Sequence, residues 1–64
     1  MLEVLKRVQG NKVEFVLEGI NNKQGTQLGM MISKLDEDGR HYLSQPQSME
    51  EAMDHLEFYQ RVYK

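Results

Sequence analysis

The stretch Pro46-Gln47-Ser48-Met49-Glu50-Glu51-Ala52-Met53-Asp54-His55-Leu56-Glu57-Phe58-Tyr59-Gln60-Arg61-Val62-Tyr63 decides the fold, because it is the segment that reads most plainly as a helix. Ser48 followed three residues later by Glu51 is a capping-box pattern, and Pro46 stands just upstream, where a loop belongs. Glu50, Glu51 and Asp54 gather near the start and Arg61 and Lys64 at the end, the distribution the helix dipole favours. At 100° per residue, Met49, Ala52, Met53, Leu56, Tyr59 and Tyr63 share one side, which is the expected core face. Phe58 falls almost opposite Leu56, with Val62 nearby and His55 at the flank. An aromatic ring on the polar side of a surface helix is a candidate anchor for a partner or a second copy.

Upstream of this helix, two turn signals divide the chain into short apolar runs. Gly10-Asn11 is a plausible two-residue hairpin loop. With Gln9 facing Lys12, Val8 faces Val13, Lys6 faces Phe15 and Val4 faces Leu17 on one side of a sheet. Arg7 then faces Glu14, and Leu5 faces Val16, on the other. Lys6 is the polar exception on the core side, a placement that suits a protected sheet edge. Asp36-Glu37-Asp38-Gly39 separates the second pair of runs. With Asp38-Gly39 as the loop, Leu35 faces Tyr42, while Leu28, Met30, Ile32 and Leu43 occupy the core side. The first and third runs also fit helical spacing, but they are short and bounded by turns, which favours strands. The sequence therefore predicts an α+β fold: hairpins over 2–8/12–18 and 28–35/40–44 form a four-stranded antiparallel sheet, with the helix over 48–63 packed on one face. Residues 1–64 read as one small domain.

In this register Leu5, Val16, Met31, Leu35 and Tyr42 lie on the outer side of the sheet and form a second apolar area. A thin two-layer domain with apolar residues on both outer surfaces is expected to be a homodimer. The connection over 19–27 is polar, and Asn21, Asn22, Lys23 and Gln24 mark it as a flexible binding loop.

The formal net charge of −2 supplies no general attraction to nucleic acid or anionic membrane. The charge is unevenly spread: residues 1–35 carry five Lys or Arg against three Glu, and residues 36–64 carry three against seven Asp or Glu. There is no Cys, no apolar run near the ~20 residues of a membrane span, and no signal-peptide pattern at Met1, so a soluble cytoplasmic protein is expected. His41 and His55 lack zinc-site spacing, the acidic turn lacks the oxygen ligands and closing Glu of a calcium loop, and Gly19, Gly25 and Gly29 match no phosphate loop. Ser33, Ser44 and Ser48 occupy no nucleophile elbow. The expectation is a non-enzyme without cofactor or metal that works by binding another protein, as an inhibitor or accessory subunit. A nucleic-acid-binding module using the sheet or the 19–27 loop is the alternative, and an enzyme or metal protein without a recognisable motif comes third.

Overall fold

The computed structural model describes residues 1–63. Strands β1 (Leu2–Gln9), β2 (Glu14–Asn21), β3 (Gln27–Asp36) and β4 (Gly39–Ser44) precede a single helix, α1 (Met49–Val62). The strands form one antiparallel meander in the order β1-β2-β3-β4, so every neighbour in space is a neighbour in sequence. The architecture is the expected α+β arrangement, and both segments with ambiguous periodicity are strands.

The registers differ from the sequence expectation in an instructive way. The first hairpin closes at Gln9 opposite Glu14, so Val8 faces Phe15 and Lys6 faces Leu17. Four residues make the turn instead of two: the Gly10 amide donates to the Val13 carbonyl, and Lys12 takes a left-handed φ of 62°. The second hairpin closes at Asp36 opposite Gly39, putting Leu35 against Arg40 and Ser33 against Tyr42. Its loop is Glu37-Asp38, and Gly39 begins the strand at φ 115°, a conformation only glycine adopts without strain. Each slip is two residues, one full side-chain period, so most residues keep their predicted face. The expected Arg7–Glu14 ion pair therefore still forms, diagonally and at 3.3 Å.

Leu5 does not keep its face. The β1/β2 register shifts between Val4 and Lys6, and the bulge turns Leu5 inward, where it packs on the core. Gly19 gives it room, since a Cβ there would lie 3.3 Å from Leu5 Cδ1. A side chain that was expected on the outer surface thus fills a gap left by a glycine on the neighbouring strand. β4 carries a matching irregularity, with a register shift between Ile32 and Ser33, and Leu43 packs on the core.

The core lies between the sheet and α1. Phe15, Leu17 and Ile32 are fully buried, Ala52 and Leu56 meet them from the helix, and Met53, Tyr59 and Tyr63 close the sides. The Phe15 ring lies 6.1 Å from both Tyr59 and Tyr63. Three expected core residues are outside it, and all are exposed: Val4, which the β1 bulge turns to the outer face opposite Glu18, Leu28 near the far end of β3, and Met49 in the first turn of α1. Ser48 caps the helix by accepting from the Glu51 amide, and Glu51 reaches back to the Gln47 amide. This is a capping box displaced by one residue at its return bond. Lys64, expected as a second base at the helix end, lies outside the described residues.

Candidate functional site

Alternation along the strands assigns Val16, Met31, Leu35 and Tyr42 to the face of the sheet turned away from α1. Beyond the bulge, Leu2 and Val4 join them, because they stand opposite Ile20 and Glu18. No helix covers this face among the described residues. Tyr42, Leu2 and Val4 are about half exposed, and Met31 and Leu35 are partly buried by their neighbours.

The middle of the face is covered from within the chain. Val16 is only 3% exposed and Ser33 is fully buried, although no second layer lies above them. Arg40 reaches across this ground. It belongs to β4, yet its guanidinium pairs with Glu18 on β2, so its side chain must cross β3 to reach its partner. Its aliphatic stem then lies over the centre of the sheet, as long cationic side chains do on apolar ground. Glu18 is itself buried. Arg7 and Glu14 form the second ion pair of the face. Both of its arginines are thus matched to a glutamate of the same surface. Neither Ser33 Oγ nor Glu18 Oε1 makes a hydrogen bond of regular geometry among the described residues, so Arg40 and Glu18 meet as an ion pair.

Phe58 and Val62 lie on the opposite side of the molecule, both more than half exposed. Phe58 stands edge-on to Tyr59 and shares a shallow surface depression with Asp54, Glu57 and Arg61. The two apolar surfaces expected from the sequence are therefore separate: Val16, Met31, Leu35 and Tyr42 on the open sheet, Phe58 and Val62 on the helix. Leu5 belongs to neither.

His55 is partly buried beneath the helix, where its Nδ1 lies 3.1 Å from Ser44 Oγ. Its Nε2 is 3.6 Å from Glu51 Oε1, too far for a hydrogen bond. The order Ser, His, Glu is that of an activated nucleophile. Glu51, however, is engaged in capping, and no described depression is lined by Ser44 and His55. The Ser44–His55 contact fastens α1 to β4.

The loop read as flexible is shorter and more ordered than its composition suggests. Asn21 belongs to β2 and pairs with Gln27, leaving a turn over 22–26. The Asn22 carboxamide oxygen accepts from the amides of Gln24 and Thr26 at 2.9 and 3.0 Å, and the Asn22 amide donates to the Thr26 carbonyl. This is an Asx turn, the local bonding to which asparagine is suited. Lys23 and Gln24 are exposed at its tip.

A hollow of about 320 Å³ opens at the other end of the sheet, lined by Lys12, Lys34, Asp36, Glu37, Asp38 and Tyr63 among others. Its central charges are engaged with one another. Asp36 receives Lys34 at 3.3 Å, His41 at 3.2 Å and the Asp38 amide at 2.9 Å, while Lys34 also lies 4.5 Å over the Tyr63 ring. Burial raises the Asp36 carboxyl, but the Asp38 amide, Lys34 and His41 outweigh it and hold the pKa below the ordinary value.

Neither Arg40–Glu18 nor Ser44–His55 was foreseen. The outward position of Glu18 and of Arg40 is legible from alternation, but the pairing depends on two registers and on the twist that brings one diagonal of the sheet together. No helix is long and apolar enough to cross a membrane among the described residues. Comparison with family models, curated proteins and solved structures finds no match to this chain.

Proposed function

We propose that this protein is a non-catalytic binding module, an inhibitor or accessory subunit working in the cytoplasm, that docks another protein on the open face of its sheet. One observation carries the reading: the cations of that face are already paired with carboxylates of the same face, between apolar side chains that no element covers. Covering such a surface removes apolar area from water without stranding an unpaired charge, the arrangement that favours protein association. The same pairing disfavours nucleic acid, because Arg7 and Arg40 would have to leave Glu14 and Glu18 to reach phosphates.

The test is affinity capture from the native cell with tagged wild type, Tyr42→Glu and Phe58→Asp, quantified by mass spectrometry. A partner retained by the wild type and Phe58→Asp but lost by Tyr42→Glu supports the open face. A partner lost only by Phe58→Asp moves the function to the helix and overturns the proposal. A gel shift at low salt checks the nucleic-acid alternative, and binding that weakens steeply with added salt would favour it.

A further inference from the structure

We propose that the open sheet face binds a second copy of this chain, giving a two-fold dimer with the sheets packed together inside and the helices outside. This rests on the docking reading above and names its occupant.

Charge selects the surface. Around a two-fold axis each surface meets itself. On the helix side, Glu50, Glu51, Asp54 and Glu57 outnumber Arg61 among the exposed residues of α1. Two such surfaces would bring like charges together, and Phe58 would be buried among them. The open sheet face carries Arg7 and Arg40 against Glu14 and Glu18, two of each sign and paired. It can meet itself without net repulsion.

The sheet edges are less suited to self-association. β1 and β4 are the two edge strands, and each carries a register irregularity, at Leu5 and near Leu43. Lys6 adds an exposed charge to the first edge. Bulges and edge lysines interrupt the row of free backbone groups that an added strand would need.

Area sets the expected strength. Four strands about 4.8 Å apart and about 27 Å long give a face of roughly 500 Å² in projection. Two copies would bury about 1,000 Å² or somewhat more, the lower bound for a specific interface. The dimer is accordingly expected to dissociate in the micromolar range, with Tyr42, Met31 and Leu35 as its anchors. Packed sheets stand ~10 Å apart and align within about 30°.

Sedimentation velocity of the full chain from about 1 to 500 μM tests the proposal. The wild type should show a reversible monomer–dimer equilibrium, with Phe58→Asp unchanged and Tyr42→Glu raising Kd by about thirtyfold or more. Because Tyr42→Glu could fail to fold, amide chemical shifts of the wild type are followed on dilution as well. Shifts at residues 31, 33 and 42, with 58 and 62 silent, support the sheet face. A wild type that stays monomeric throughout, or dilution shifts confined to α1, overturns the dimer. If the wild type is monomeric while Tyr42→Glu still loses its captured partner, self-association fails and the docking reading stands.

Discussion

Replacing Arg40 by Ala is predicted to destabilise the protein by about 1–2 kcal/mol, an amount set by how unequally the ion pair is buried. The Glu18 side chain is 8% exposed and that of Arg40 is 46% exposed. A fully exposed pair contributes about 0–1 kcal/mol, whereas removing one member of a fully buried pair costs about 3–5 kcal/mol. Here the carboxylate is enclosed, but the guanidinium is half in water and the site opens to solvent once its stem is gone. The lower part of the interval applies. With unfolding entropy of about 2.1 cal/mol/K per residue, Tm should fall by roughly 7–15 °C for a chain of this length. The double variant Glu18→Leu/Arg40→Leu should lose far less than the sum of the single changes, staying within about 1 kcal/mol of wild type, because no buried charge remains unpaired. Urea unfolding at pH 7, followed by far-UV circular dichroism and tyrosine fluorescence, completes the double-mutant cycle. A loss below about 0.3 kcal/mol for Arg40→Ala, or a coupling near zero, would refute the crossing of Arg40 over β3.

Other consequences are simpler to read. Leu56→Ala empties the centre of the helix interface and should cost about 2–5 kcal/mol, measured by urea unfolding; Leu56→Asp should undock α1 altogether and lower the far-UV helix signal. Lys12→Gly should raise stability by up to about 1 kcal/mol, since Lys12 holds a left-handed φ of 62° that glycine adopts freely; a drop in the thermal midpoint would contradict it. Asp36 has a folded pKa below its ordinary 3.8, so its contribution is present above that value and is lost as pH falls through the lowered folded pKa. Asp36→Asn should therefore flatten the acid limb of a stability–pH profile, and an unchanged limb would show that the ring of Lys34, His41 and the Asp38 amide does not act on it.

The sheet and helix were legible because local chemistry punctuates this chain. Gly10, Gly39, Pro46 and Ser48 mark real boundaries, and a two-residue slip at each hairpin does no harm to face assignment, since strand side chains repeat every two residues. The slips themselves came from placing Gly10 and Gly39 inside two-residue loops. Gly10 instead opens a four-residue turn, and Gly39 follows its loop. The fate of Leu5 was not legible, because it turns on a bulge between Val4 and Lys6 and on the room left by Gly19 on the neighbouring strand. Likewise the polar composition of 19–27 indicated a connection but concealed an Asx turn, whose order comes from a single carboxamide. The helix wheel separated Leu56 from Phe58 correctly. Strand alternation likewise put Val16, Met31, Leu35 and Tyr42 on the far side of the molecule from Phe58, as the structure does.

That separation bears on how so small a chain remains folded. Apart from Pro46 and the residues of α1 itself, the fully buried apolar side chains lie on β2 and β3, so one layer of packing must offset the ordering of 64 residues. A typical stability for this length is about 3–10 kcal/mol, little more than one large core truncation. The open face holds apolar surface that the monomer leaves half used. If a second copy covers it, association is linked to folding, and the folded state is favoured by mass action. The melting midpoint of the wild type should then rise with protein concentration across the micromolar range, while that of Tyr42→Glu should not. A midpoint independent of concentration in the wild type would mean that the one-sided core suffices, and that the open face is kept for a different partner.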